Sequence, residues 1–164
     1  MRYVVSVLAV FVASLSLVSI IWNPQKRLIW NRTASAPIGL YWLNDDPYEK
    51  GDWVIVSASS AAAKWAQRQG FVGQDWPLLK RVAAISGDEI CRHSASVSIN
   101  NHAVASAKNH DNRGRELPVW SGCVTLKAHE VFLLNEHPDS LDGRYFGPTQ
   151  KADLMGRAHK VDLP

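Results

Sequence analysis

The sequence predicts a mostly β fold, an antiparallel domain over residues 24–164 behind a single transmembrane helix within residues 1–23. Three observations predict it. Nine short apolar or alternating runs follow one another closely, separated by Gly, Pro, Asn and Asp, as strands and hairpins are. Only one later segment, Ser60 to Gln69, reads as a helix. The chain opens on Tyr3 to Trp22, twenty residues without a charge, enough to cross about 30 Å of hydrocarbon.

A cleaved secretory signal is the competing reading of that first run, since Arg2 supplies a short basic start. Its apolar part exceeds the usual stretch of about 7–15 residues, and no small-x-small pattern closes it before "WNPQKR", which favours an uncleaved anchor. Arg2 and the terminal amine stand against Lys26 and Arg27, so the positive charges leave the orientation open. Trp22 and Trp30 flank the run where an interfacial belt would lie. The rest is long enough for one core and too short for two. A formal charge of +3, spread without blocks, gives no nucleic-acid surface, and nothing repeats.

After the connector "NPQKRLIW" comes the polar turn Asn31-Arg-Thr-Ala-Ser35-Ala-Pro37-Ile-Gly39, leading into a strand over Ile38–Leu43. Ser35 lies thirteen residues beyond Trp22, a span of at most about 47 Å, so whatever it does is done near the membrane. Further strands are expected over Trp53–Ala58, Leu78–Ile85, Glu89–Arg92, Val97–Ile99, Ala103–Ala107, Val124–Lys127, Glu130–Asn135 and Arg157–Val161. Asn100-Asn101 reads as a two-residue hairpin turn. Asp45-Asp46-Pro47 and Lys50-Gly51-Asp52 make another. The helix is alanine-rich, has Ser59 or Ser60 as N-cap and stops at Gly70. It serves as a lid over a site, as a membrane contact through Trp65, or as a plain surface connection. "KNHDNRGRE" from Lys108 to Glu116 has no periodicity and reads as a solvated loop.

Two features carry chemistry. Thr33 and Ser35 present hydroxyls two residues apart beside a proline that holds the chain extended. Lys80, in the strand "LLKRVAAI", shares the buried face with Leu78, Val82 and Ala84 by alternation, while Arg81 points the other way. A lysine buried without an acidic partner loses its proton, because desolvation penalises the charged form, and a neutral amine can act as a base. The plain reading of each is turn chemistry for the hydroxyls and a snorkelling stem for the lysine. Cys91 and Cys123 are an even pair in strand-like segments, compatible with a disulfide or with two buried thiols. No Cys-x-x-Cys occurs, and the six histidines match no helix-borne metal spacing, so no metal or other cofactor is expected. His137-Pro138-Asp139 could suggest a Ser-His-Asp arrangement with Ser35; the lysine strand is the better base.

Taken together, "TASAPIGLY", "LLKRVAAISGD" and "DSLDGRYFGP", in that order behind one anchor, resemble the nucleophile, lysine and carboxy-terminal boxes of the type I signal peptidase family. The likeness is greatest to its conjugative-transfer branch, the TraF peptidases. The resemblance implies a signal-peptidase-like β domain on the periplasmic side of the bacterial inner membrane, with the lipid bilayer and an exported precursor, a pilin in this branch, as partners. It implies Ser35 as nucleophile, Lys80 as general base, and Thr33 with the Ser35 N–H as oxyanion donors. Ser140 would orient the lysine, and Asp142 and Arg144 would brace the site. Gly143 stands where general signal peptidases have serine, and Ala36 where they have methionine; both point to the transfer branch, some of whose members join the cut pilin head to tail. A general signal peptidase and an inactive interaction protein of the conjugation apparatus are the alternative readings.

Overall fold

The computed structural model describes residues 27–161 together with Val5, Val7, Leu8, Phe11, Val12 and Ser14, which are helical. Among the described residues no helix is long and apolar enough to cross a membrane. Most of the expected anchor, Tyr3 to Trp22, lies outside them.

Among the described residues there are eleven strands: β1 Leu28–Asn31, β2 Gly39–Asn44, β3 Trp53–Val56, β4 Leu78–Ala84, β5 Glu89–His93, β6 Ser96–Ile99, β7 His102–Ser106, β8 Gly122–Thr125, β9 Glu130–Leu133, β10 Thr149–Gln150 and β11 Leu154–Lys160. Two short helices, α1 Ala61–Arg68 and α2 Gly143–Phe146, and a 3-10 turn at Lys151–Asp153 complete the elements of residues 27–161. The larger sheet runs β1-β2-β11-β3-β4-β9-β10 and the smaller β7-β6-β5-β8, and every pairing is antiparallel. The mostly β reading therefore stands. All nine expected strands are found within a few residues of their expected ends; β1, β10 and α2 are additional. β1, Leu-Ile-Trp-Asn, is short and shows no apolar–polar alternation, and it forms because β2 offers it a full register from Leu28↔Trp42 to Asn31↔Gly39.

Local chemistry explains the turns and the helix. Asn100 and Asn101 both take positive φ (49° and 66°), the conformation a two-residue hairpin between β6 and β7 requires. Ser60 caps α1 by accepting from the Ala63 N–H at 3.2 Å. The loop from Lys108 to Glu116 is more ordered than its composition suggests. Asp111 accepts from the N–H groups of Arg113 and Arg115 and pairs with the Arg115 guanidinium, which lies 3.6 Å from the centre of the Phe71 ring. Cys91 and Cys123, directly opposite each other on β5 and β8, are joined as a disulfide.

Packing sets the place of the site. Val54, Val56, Leu78, Val82, Val131 and Leu133 form an apolar layer on one face of the large sheet, covered by Ala63 of α1. Ile55 and Leu79, on the opposite face, pack with Tyr41, Leu43 and Ala158. Each large side chain so buried contributes about 1.5–3 kcal/mol. Between Leu78 and Val82, in the first of these layers, stands Lys80.

Candidate active site

The strand β4 is committed on one side along its first half, where Leu78–Arg81 pair with β3, and reaches β9 only at Val82 and Ala84. The open edge beside Leu79 and Arg81 is closed by a side chain. Asn135, just past β9 and buried, accepts from the Arg81 N–H through Oδ1 (3.0 Å) and donates through Nδ2 to the Leu79 carbonyl (3.3 Å). It imitates a neighbouring strand for one residue pair. The same Nδ2 donates to the Ser35 carbonyl at 2.8 Å, which ties the turn that carries Ser35 to the lysine strand.

Lys80 is 5 % exposed, and its Nζ donates to Ser140 Oγ at 3.1 Å. Burial holds its pKa down at about 8, against the pull of the Asp142 charge and with a smaller push from Arg144. The alternation argument for this lysine is thus met. Arg81, on the other face, ion-pairs with Glu136 at 2.7 Å.

The turn that carries Thr33 and Ser35 is built on Asn31, buried at the end of β1. Its Nδ2 lies 3.0–3.1 Å from the carbonyls of Thr33, Ala36 and Pro37, and its Oδ1 accepts from the Thr33 N–H (3.2 Å) and hydroxyl (2.9 Å). Thr33 Oγ1 and Ser35 Oγ are 3.1 Å apart. Ser35 and Lys80 line one cavity of about 180 Å³, walled also by Ala66 of α1, Phe71, Trp76 and Leu141. No hydrogen bond joins Ser35 Oγ to Lys80 Nζ; the serine hydroxyl rests on Thr33 and the amine on Ser140. The segment α1 lies over this cavity. Trp65 stacks on Phe71 (centroids 5.6 Å) and meets Phe146 edge-on (5.7 Å), so its ring is engaged inside the domain. Arg32 covers Trp76 at 4.6 Å.

The carboxy-terminal stretch forms the base of the site. Asp142 and Arg144, both buried, make a two-pronged pair (2.8 and 3.1 Å), and Asp142 also accepts from the Asn135 N–H and the Arg144 N–H. Arg144 extends to the carbonyls of Pro138 (2.8 Å) and Asn135 (2.7 Å). This pair faces the loop that carries Ser140, so it fixes Ser140 under the amine without touching Ser35. Behind it Arg92 of β5, buried with no acidic partner among the described residues, donates to the carbonyl of Arg144 at 2.7 Å. His137 Nδ1 accepts from the Asp139 N–H, and the Asp139 carboxylate is taken by Lys108 at 2.6 Å; no carboxylate orients the imidazole towards Ser35.

The site residues expected from the sequence thus converge: Thr33 and Ser35 in the turn, Lys80 on β4, and Ser140, Asp142 and Arg144 beneath it. Asn31 and Asn135 were missed. The only sequence signal for the first is its place two residues before Thr33, where an Asn oxygen turns back onto the chain.

A serine turn, a dry lysine and a braced carboxy-terminal loop on an antiparallel sheet define a class of site, and comparison with known proteins gives it a family. Residues 1–161 match the family model "Signal peptidase, peptidase S26". The chain belongs to this serine-peptidase family. Among its relatives are a plasmid transfer protein TraF of Escherichia coli, 35% identical over 76% of this chain and 77% of its own length. A conjugal transfer protein TraF of Agrobacterium tumefaciens is 32% identical over 93% and 90%, and a probable conjugal transfer protein TraF of Sinorhizobium fredii is 31% identical over 91% and 83%. A crystal structure of a signal peptidase I from Enterococcus faecalis is similar with a TM-score of 0.40 at 16% identity, over 70% of this chain and 98% of that one.

Proposed function

We propose that the chain is a membrane-anchored serine endopeptidase that cuts an exported precursor for conjugative transfer, a pilin precursor being the narrower reading, with Ser35 and Lys80 as its reacting pair. The observation that carries the proposal is the Lys80 amine. It is buried, bonded only to a neutral hydroxyl among the described side chains, and held near pKa 8 in the cavity that Ser35 lines. Such an amine is neutral in a large fraction of molecules at mildly alkaline pH and can take a proton.

Ser35 Oγ attacks the scissile carbonyl carbon while Lys80 Nζ accepts its proton, after the serine hydroxyl has turned from Thr33 to the amine. The oxyanion is met by the Ser35 N–H and by Thr33, whose hydroxyl exchanges its bond to Asn31 for a stronger, charge-assisted one. Breaking of the C–N bond returns the proton from Lys80 to the leaving amine and leaves an ester on Ser35. Water activated by the same amine releases the acid. An amine of the substrate in its place would give a cyclic product. Ser35 also borders a second, open cleft of about 790 Å³ walled by Trp53, Arg81 and Glu136, so both sides of a bound chain have room. Nearness to a bilayer is supported by the outer face of β1 and β2. Leu28 pairs with Trp42 and Trp30 with Leu40, and three of the four are about half exposed, beside the exposed Ile38.

The test is mass spectrometry of the pilin precursor from the same genetic element, incubated with the full-length chain. Cleavage is expected with the wild type and none with Ser35→Ala or Lys80→Met, both retaining the fold. Processing at near wild-type rate by either variant refutes the pair.

A further inference from the structure

We infer that Asn31 is a positioning residue for catalysis, holding the Thr33 hydroxyl beside Ser35, where the oxyanion would form, and setting the resting direction of both hydroxyl protons. The inference rests on Ser35 being the nucleophile.

The direction of the hydrogen-bond chain is forced by the backbone. Asn31 Nδ2 faces three carbonyl oxygens, of Thr33, Ala36 and Pro37, and carbonyls only accept. The amide can therefore stand only one way round, with Oδ1 towards Thr33. Oδ1 has no proton to give, so at 2.9 Å the Thr33 hydroxyl must be the donor. In the resting site its single proton is then committed, and in the 3.1 Å contact with Ser35 Oγ the serine donates and the threonine accepts. One buried amide thus decides where two hydroxyl protons point. Thr33 is itself exposed, so without this bond only the contact with the Ser35 hydroxyl itself is left, among the described residues, to hold Oγ1 in place.

Two consequences separate this from a merely structural asparagine. The effect of Thr33 on the serine should depend on Asn31. The lysine, which neither residue touches, should keep its titration when Asn31 is lost.

Both can be read from acylation of the full-length chain in detergent by p-nitrophenyl acetate, followed as the burst of p-nitrophenolate, with Ser35→Ala subtracted as background. In the wild-type background Thr33→Val is expected to slow acylation by about 10²-fold, and Thr33→Ser to restore most of it. In the Asn31→Ala background the same Thr33→Val change is expected to cost less than about 5-fold, a coupling within the range seen for groups in direct contact. The midpoint of the pH profile should stay near 8 in Asn31→Ala. Should that variant not fold, Asn31→Ser, too short to bring an oxygen to Thr33 yet able to donate to a neighbouring carbonyl, replaces it, and in it the Thr33→Val cost should again fall below about 5-fold. Equal Thr33→Val costs with and without the Asn31 side chain overturn the role of Asn31. A burst in Ser35→Ala as fast as in the wild type would instead sink the nucleophile assignment beneath it.

Discussion

At Lys80 Nζ, burial strips away the hydration an ammonium needs, and one hydroxyl at 3.1 Å restores little of it. The amine is held at about 8, below the ordinary 10.5. Between those values the folded chain binds fewer protons than the unfolded one, so this residue makes stability rise with pH across that window. Below pH 8 its penalty is fully present, about 3 kcal/mol. Lys80→Met should therefore be inactive yet more stable than the wild type at pH 7, with the gain shrinking towards pH 10 in guanidinium unfolding. A less stable variant at pH 7 would count against a lysine that pays for its burial. The same titration governs the rate: each pH unit below 8 should lower acylation about tenfold. The burial of Lys80 was legible because strand alternation and apolar neighbours fix which way it points. Asn31 and Asn135 were not, because their partners are backbone carbonyls and N–H groups, some as far away as residue 35 is from residue 135, and a sequence shows no pattern for those.

Among the elements, β4 and the short helix α2 carry the site. Expected strands such as Glu89–Arg92 and Val97–Ile99 matched because alternation and the Asn-Asn turn act locally. The helix α2 was missed: four residues give no period, and it forms because Asp142 caps it through the Arg144 N–H while its side chains lock into the site. Gly143 at its start is required by space. An added Cβ would stand 2.6 Å from Phe132 Cε2 and 2.7 Å from the Leu133 carbonyl. A serine here cannot be accepted without moving Phe132 and the Leu133 carbonyl of β9. Gly143→Ser is expected to lower stability by about 1–3 kcal/mol and to slow acylation, since Ser140 and Asp142 ride on the same segment. A variant with unchanged melting temperature would show that β9 yields freely.

At the level of the whole molecule, three stretches separated by some forty to one hundred residues meet at one place: the segment after β9 adjoins β4 because β9 is its neighbour in the larger sheet, and Asn135 of that segment ties the turn between β1 and β2 to β4. The smaller sheet, stapled by the disulfide, reaches the site through Arg92 and the carbonyl of Arg144. The order of the three boxes was legible. Their meeting was not, since strand order follows from long-range pairing that no local pattern encodes. A dry amine exists only when all three are assembled, so its titration reports on the whole fold as well as on the chemistry. The most direct measurement is an NMR titration of the full-length chain carrying ¹³C at the lysine Cε, with the Lys80 signal assigned by its absence from Lys80→Met. A midpoint near 8 in the folded protein, returning to about 10.5 in denaturant, is the expected result. A folded-state midpoint at or above 10 would mean a charged, hydrated lysine and would contradict the proposed peptidase.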